Sequence, residues 1–392
     1  MSFRYVMPLL LLALSACDDP QEPTRHEAAP SPAVSGAAAF TWLQVSPGQA
    51  HTCGLGADSL AYCWGWGDLG QLGTGATTPS EPRPVRVQGV RRWRDIQSGD
   101  AHTCALTRGR RIFCWGDNSL GQLGDGTTSL NQVNPTPVAT SLTFVQVSTG
   151  SAHTCAITAA GAAYCWGDNP YGQLGDGSRT RRLMPVKVAG NLVFRHVRAG
   201  WEHTCGVTTT DVAYCWGRNK AGQLGDGTDL TRGRPTRVVG GFKFRLIRTG
   251  QRHTCALTTA SKVYCWGLNN LGQVGDGTNL NERHTPVAVV NGANFGSLAL
   301  GSASTCGVRE NRTAWCWGFN AAGLGDGSTT ETSTPVAVSG NRLWQRVNLG
   351  ATSNHACGIT AGAAYCWGDN FRGQLGDGST DDRGIPTPVL AP

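Results

Sequence analysis

The segment His153-Thr154-Cys155-Ala156-Ile157-Thr158 decides the fold, together with the Tyr164-Cys165-Trp166-Gly167-Asp168-Asn169 and Gly172-Gln173-Leu174-Gly175-Asp176-Gly177 segments that follow it. Close copies recur along the chain, and their first cysteines stand at positions 53, 104, 155, 205, 255, 306 and 357. Successive copies are therefore 50 or 51 residues apart. Such regular spacing indicates that residues 40–392 are one structural unit repeated seven times.

Each unit contains three or four short stretches with the composition of β-strands, separated by Gly, Asn, Asp and Pro. No unit contains a stretch of about ten residues with helical periodicity. This pattern predicts an all-β fold, a seven-bladed β-propeller of four-stranded blades. A parallel β-helix would need a shorter repeat, and a leucine-rich solenoid would need a helix or a ladder of leucines, so both fit poorly.

The three motifs of these units resemble the repeats of the regulator of chromosome condensation family, and every copy between residues 40 and 392 carries the resemblance. The resemblance implies a closed ring of seven blades whose faces contact other proteins. Family members include an exchange factor for a small GTPase and a secreted bacterial inhibitor of β-lactamases. Because the match is to the scaffold motif, the resemblance assigns no functional residue to this chain.

Fourteen cysteines fall into seven pairs, six with a spacing of ten residues and the last with a spacing of nine. If the two cysteines of a pair face each other across a hairpin, the third unit keeps the three-residue loop Ala159-Ala160-Gly161, and the seventh keeps the two-residue loop Ala361-Gly362. Directly opposed residues of antiparallel strands are close enough for a disulfide. We therefore predict the disulfides Cys53–Cys63, Cys104–Cys114, Cys155–Cys165, Cys205–Cys215, Cys255–Cys265, Cys306–Cys316 and Cys357–Cys366.

Other roles for these repeated residues have less support in the sequence. A zinc site is conceivable because five units carry His-Thr-Cys, but zinc needs four converging ligands, and Ser304 replaces the histidine in the sixth unit. Free thiols are a further alternative. The Gly-Asp-Gly stretches lack the alternating acids of a calcium loop and predict turns. The repeated histidines are interpreted as scaffold, and we predict neither catalytic residues nor a metal or cofactor.

The start of the chain has the features of an export signal. Arg4 is followed by a short apolar stretch at residues 7–14 and then by Leu14-Ser15-Ala16-Cys17. The last four residues resemble the lipobox of bacterial lipoproteins, which implies lipid attachment at Cys17. We predict a signal peptide at 1–16 and a Pro- and Ala-rich tether at 17–39. An ordinary signal peptide with a coincidental cysteine is the alternative.

Positive charge is concentrated in one sector of the predicted ring. The net charge of the chain is +7, but residues 179–252 contain 15 Lys and Arg against four acidic residues, a net of +11. Such a field favours anionic partners. Scaffold requirements are shared between copies, so function is expected where the copies differ, and the candidate partner-binding residues are Arg179, Arg181, Arg182, Trp201, Arg232, Arg234 and Arg252. A solvated basic rim without a dedicated partner fits the same charges.

Together these features predict a non-enzymatic protein-interaction module of the bacterial cell envelope, anchored by its lipid and facing the periplasm or the exterior. We expect a protein partner with an acidic or otherwise anionic surface, and we do not expect nucleic acid. Two alternatives are a guanine-nucleotide exchange factor for a small GTPase, which would have to remain in the cytoplasm, and a propeller enzyme with its site in the central channel.

Overall fold

Twenty-eight β-strands follow one another in the residues described by the computed structural model, and each consecutive set of four forms one antiparallel sheet. These residues are 40–89, 91–292, 294–320 and 323–392. The sheets are the seven blades of a propeller, numbered here in chain order, so the predicted fold is confirmed. The predicted signal peptide, Cys17 and the tether lie outside the described residues. Within them, no helix has the length and apolarity needed to cross a membrane.

Each blade uses its strands in sequence order from the inside of the ring outward. The innermost strands are β1 (Trp42–Pro47), β5 (Trp93–Ser98), β9 (Phe144–Thr149), β13 (Phe194–Ala199), β17 (Phe244–Thr249), β21 (Phe295–Leu300) and β25 (Arg346–Leu349). The second strands are β2 (His51–Gly56), β6 (His102–Thr107), β10 (His153–Thr158), β14 (His203–Thr208), β18 (His253–Thr258), β22 (Ser304–Arg309) and β26 (His355–Thr360).

The third and outermost strands complete each sheet. The third strands are β3 (Ala61–Gly67), β7 (Ile112–Gly116), β11 (Ala163–Gly167), β15 (Ala213–Gly217), β19 (Val263–Gly267), β23 (Ala314–Gly318) and β27 (Ala363–Gly368). The outermost strands are β4 (Thr78–Arg86), β8 (Gln132–Pro137), β12 (Arg182–Lys187), β16 (Arg232–Arg237), β20 (Arg283–Ala288), β24 (Thr332–Ala337) and β28 (Arg383–Pro388).

The hairpin between the second and third strands has the predicted register. In blade 3, Cys155 is opposite Cys165, and the loop glycine Gly161 adopts a positive φ of 79°. In blade 7 the two-residue loop has φ values of 47° at Ala361 and 81° at Gly362, as a type I′ turn requires. The structure joins the two cysteines of all seven pairs, with Cα atoms 4.0–4.1 Å apart.

The tryptophan of each Cys-Trp-Gly motif fills the space between two blades, as the sequence predicts. Trp166 of blade 3 packs on Leu123 of blade 2, and its indole Nε1 donates to the carbonyl oxygen of Gln122 at 3.0 Å. Gly124 lies against the same ring, where an added Cβ would be 2.5 Å from Nε1. These indoles are fully buried, so they supply much of the apolar contact between blades.

Buried histidines link successive blades through hydrogen bonds. His153 Nε2 lies 2.9 Å from Thr204 Oγ1 of the next blade, and this hydroxyl donates to the Gln173 carbonyl at 2.8 Å, so the histidine is the donor. Burial lowers the pKa of His153 to about 3. The same link occurs between five other pairs of blades: His51–Thr103, His102–Thr154, His203–Thr254, His253–Thr305 and His355–Thr52.

The junction between blades 6 and 7 shows that the histidine and the threonine of this link depend on each other. Ser304 stands where the other blades have histidine, and Ala356 of blade 7 stands where the others have threonine. Both members of the pair are therefore replaced at the same junction. This observation agrees with the interpretation of the histidines as scaffold.

The ring closes through contacts between blades 7 and 1, since each sheet contains only consecutive strands. His355 Nε2 lies 2.7 Å from Thr52 Oγ1. Asn348 Nδ2 donates to the Val45 carbonyl at 2.9 Å. No strand is exchanged between the two ends of the described propeller. Packing and side-chain hydrogen bonds close the ring together with backbone hydrogen bonds, such as the one that Trp42 N donates to the Gly362 carbonyl at 2.8 Å.

Candidate protein-binding surface

The candidate residues meet on one face of the ring because of the strand register. Gly167, at the end of the third strand of blade 3, pairs with His153 at the start of the second strand and with Arg182 at the start of the outermost strand. The connection before each second strand and the long connection after each third strand therefore emerge on the same side. We call this side the loop face, and all seven candidates lie on it within blades 3, 4 and 5.

Trp201 is the centre of an aromatic and cationic group on this face. The guanidinium carbon of Arg252 lies 5.1 Å from the centre of the Trp201 ring, and that of Arg218 lies 5.5 Å from it. Arg218 is also 5.1 Å from the ring centre of Tyr171 and forms an ion pair of 2.5 Å with Glu202. The half-buried residues Tyr171, Trp201, Arg218 and Arg252 come from three blades, and we call them the Trp201 cluster.

The sequence prediction missed two members of this cluster. Arg218 occupies the position after Cys-Trp-Gly, where Asp117, Asp168 and Asp369 stand in other blades. Comparison of the copies at this position would have identified it, because an arginine there departs from a repeated aspartate. Tyr171 could have been found in the same way, since leucine stands at the equivalent position in three other blades, as Leu69, Leu120 and Leu271.

Arg182 and Arg232 have a structural role that the sequence prediction did not include. Arg182 Nη2 lies 2.8 Å from Asp176 Oδ2 of the Gly-Asp-Gly turn, and Arg232 Nε lies 2.9 Å from Asp226 Oδ2. Burial favours a higher pKa for Asp176, but hydrogen bonds from Ser178 and Arg182 outweigh it and lower the pKa below its usual value. Blades 5 and 7 repeat the pair as Arg283–Asp276 and Arg383–Asp377.

An arginine that is paired with a turn aspartate and an arginine that is exposed to solvent should respond differently to substitution. We expect Arg182→Gln to lower the free energy of unfolding by about 1 kcal/mol, because it removes a charged hydrogen bond to a largely buried carboxylate, and the value is limited because the Arg182 side chain is 39% exposed to water. The matched variant Arg181→Gln should change it by less than about 0.5 kcal/mol, because its side chain is exposed. Denaturant titration measures both values, and equal losses would contradict the assignment.

Three other candidates present their charge to solvent. Arg179, Arg181 and Arg234 are exposed. Arg234 lies over the turn of the preceding blade, where a Cβ added to Gly177 would be 2.8 Å from its Nε. All four acidic residues between 179 and 252 are already in ion pairs. Arg179, Arg181 and Arg234 belong to none of the ion pairs among the described residues, so they leave positive charge on this part of the loop face, although the carboxylate of Asp168 interacts with Arg181.

A second polar region lies in the central channel, which the innermost strands of all seven blades enclose. Its volume is about 400 Å³, and its lining includes Arg94, Arg198, Arg248 and Arg346. Asp95 is the one acidic residue among the described residues that line it. Its Oδ1 accepts hydrogen bonds from the amides of Gln44 and Gln97. His196, unrepeated in sequence, accepts a hydrogen bond of 3.3 Å from the backbone of Ile247 in the next blade.

Sequence comparison agrees with this architecture. The model of the RCC1-like domain matches residues 15–289, and that of the regulator of chromosome condensation (RCC1) repeat matches residues 361–392. The chain belongs to the RCC1-like family. Members of this family are propellers that act as protein-interaction modules, so the resemblance seen in the repeat motifs is confirmed.

Among curated relatives, the RCC1-like chain is 36% identical over 146 residues to the ultraviolet-B receptor UVR8 of Arabidopsis thaliana, which covers 36% of this chain and 33% of the receptor. It is 36% identical over 139 residues to the human probable E3 ubiquitin-protein ligase HERC6, which covers 34% of this chain and 14% of the ligase. The match thus spans a third or less of these relatives.

Solved propellers match over much more of the chain. Human WBSCR16 superposes with a TM-score of 0.78 at 21% identity, covering 85% of this chain and 95% of that one. Prp20p of Saccharomyces cerevisiae superposes with a TM-score of 0.75 at 21% identity, covering 90% and 88%, and its structure was described with its binding to Gsp1p and histones. At this identity the similarity establishes the fold of this RCC1-like protein.

Proposed function

We propose that this protein is a non-enzymatic scaffold of the bacterial cell envelope, anchored through a lipid on Cys17, that binds an acidic surface of a partner protein with the loop face of blades 3–5. The observation that carries the proposal is the Trp201 cluster with its exposed flanking arginines. Half-buried Trp, Tyr and Arg side chains are the types that dominate binding energy at protein interfaces.

The charges around the cluster support an acidic partner. Arg179, Arg181 and Arg234 are exposed on the same loop face, and none of them is in an ion pair among the described residues. Exposed charges of this kind accelerate association with a complementary surface and lose that effect as salt is added. Trp201 would supply the apolar contact, and the flanking arginines would orient the partner.

The cysteines support an extracytoplasmic location. Seven disulfides indicate an oxidising environment. An exchange factor for a cytosolic GTPase would work in a compartment where such bonds are reduced. The channel offers little support for the enzyme alternative, because Asp95, the one acidic residue among the described residues that line it, already accepts hydrogen bonds from the amides of Gln44 and Gln97.

Photo-crosslinking in intact cells tests the proposal. A crosslinking residue at position 201 should capture a discrete partner, whereas one at Val193, which is 47% exposed on the opposite face of the same blade, should not. Trp201→Ala should weaken the complex at least about tenfold. Arg181→Gln with Arg234→Gln should mainly reduce the association rate and its dependence on salt.

Two results would contradict this proposal. Equal capture from positions 201 and 193 would remove the loop face as the binding surface. Recovery of the native chain from the cytoplasmic fraction would remove the envelope location and would favour the exchange-factor alternative.

A further inference from the structure

The central channel contains two arginines whose charges the protein leaves largely uncompensated. Arg198 and Arg248 occupy the same position of β13 and β17, the innermost strands of neighbouring blades, and both line the channel. Neither belongs to any ion pair among the described residues. The Nε of Arg198 is buried and has no hydrogen-bond partner in the protein.

The surroundings of these two groups oppose their charge. Burial lowers the pKa of Arg198, and Asp95 only partly offsets this effect. Burial, followed by repulsion from Arg198, lowers the pKa of Arg248 well below its usual value. The guanidinium of Arg248 donates to the carbonyl oxygen of Ile247 at 3.1 Å, a neutral partner. Two adjacent cations in an enclosed space are unfavourable unless an anion lies between them.

Other side chains at the same level of the channel can donate hydrogen bonds to such an anion. The Ser46 and Ser148 oxygens accept hydrogen bonds from the backbone nitrogens of Ser98 and Ala199, so each hydroxyl proton remains free to be donated. Both serines line the same cavity as the two arginines. Its volume of about 400 Å³ lies within the range of small-molecule pockets.

We propose that the central channel binds a small oxyanion, with the guanidinium groups of Arg198 and Arg248 holding its phosphate or carboxylate groups. Planar guanidinium groups bind both kinds of group through paired hydrogen bonds. This inference goes beyond the proposed function, because it places a small ligand inside the ring, away from the protein surface on the loop face. It also assigns a ligand-binding role to two arginines that do not recur at the equivalent position of the other blades.

Thermal melting of the full chain tests the site with inorganic phosphate, pyrophosphate and citrate as probes, each compared with chloride at equal ionic strength. At least one probe should raise the melting temperature of the wild-type protein. Arg198→Gln and Arg248→Gln should each lose about nine-tenths of that shift and bind the probe at least about tenfold more weakly by calorimetry. A larger effect of the phosphates identifies a phosphoryl ligand, and a larger effect of citrate identifies a polycarboxylate.

The behaviour without multivalent anions separates a ligand site from a structural role. In chloride buffer, both variants should melt at or above the wild-type temperature, because the repulsion between the two cations is removed. Arg237→Gln makes the same change of charge at an exposed position of the outermost strand β16 and should keep the full anion shift, and Arg198→Lys, which retains the charge, should keep only part of it. The proposal is wrong if no probe shifts the wild-type melting temperature, or if the channel variants respond like Arg237→Gln.

Discussion

Reduction of the seven disulfides should lower the free energy of unfolding by roughly 15–20 kcal/mol, from about 2–3 kcal/mol for each closed loop of ten or so residues. A loss of this size exceeds the total stability of most domains, which is about 5–15 kcal/mol. The cysteines are buried in every blade, so the bonds must be reduced in denaturant. After dilution, we expect folded protein only where an oxidant is present, as measured by circular dichroism and melting temperature.

A single blade provides the control for this prediction. Replacing Cys155 and Cys165 together by alanine removes one closed loop and should cost about 2–3 kcal/mol, leaving a folded ring with six disulfides. Cooperative melting of the fully reduced and alkylated chain, close to the temperature of the oxidised protein, would show that blade packing alone maintains the fold. The expectation of an oxidising compartment would then lose its energetic basis.

The repeat made most of the fold predictable from sequence. A residue that recurs at a spacing of 50 or 51 has the same environment in every blade, so the hairpin derived for Cys155 and Cys165 applied to all seven pairs. The loop of two residues in blade 7 followed from one missing residue in the spacing. The position of Trp166 between blades was predictable because it alternates with the cysteine along the strand.

Contacts that cross from one blade to the next were less predictable. The link from His153 to Thr204 joins residues 51 apart, and the sequence does not show which face of a strand meets its neighbour. The pairing of Arg182 with Asp176 could have been inferred, because an arginine follows the aspartate six residues later in three blades. Its absence from the sequence prediction led to Arg182 and Arg232 being grouped with the exposed arginines.

The sequence prediction did not identify the two channel arginines, for a different reason. Arg198 and Arg248 are one repeat apart, which places them side by side once the innermost strand of each blade is known. The charge count of residues 179–252 combined them with arginines of the outer strands and the loop face. Only the structure separates a positive surface from a positive cavity, and the two have different ligands.

Acidification should destabilise the propeller steeply through its buried histidines. Burial, with repulsion from neighbouring histidines at some positions, lowers their folded-state pKa values to about 3, or about 4 for His102. The unfolded chain titrates near 6.5, so it binds more protons than the folded chain between about pH 6.5 and pH 3. Stability is therefore fully present above pH 6.5 and is lost as the pH falls.

The size of this effect follows from the number of groups. Each histidine contributes about 1.4 kcal/mol per pH unit once its unfolded form is protonated, so the six in the His–Thr links together approach roughly 8 kcal/mol per unit. Asp100 acts in the opposite direction, since burial raises its pKa to about 6, and burial also raises the pKa of Asp168 and Asp369, but these three carboxyl groups are fewer than the six histidines. We expect the free energy of unfolding to be flat near pH 7.5 and to fall sharply between pH 6.5 and pH 5.

Blade 6 suggests the variant that isolates this cause. His253→Ser combined with Thr305→Ala copies the Ser304 and Ala356 pair into the junction between blades 5 and 6, and removes one titrating group without leaving a threonine unpaired. Its stability at pH 7.5 should be lower than wild type, because a buried hydrogen bond and a packed ring are lost. Below pH 6.5, however, the slope of its unfolding free energy against pH should be shallower by about 1.4 kcal/mol per unit.

Denaturant titrations at pH 7.5, 6.5, 5.5 and 5.0 measure both the stability at pH 7.5 and this slope. Equal slopes in variant and wild type would mean that the link histidines accept protons in the folded ring, which would contradict their assignment as neutral donors between blades.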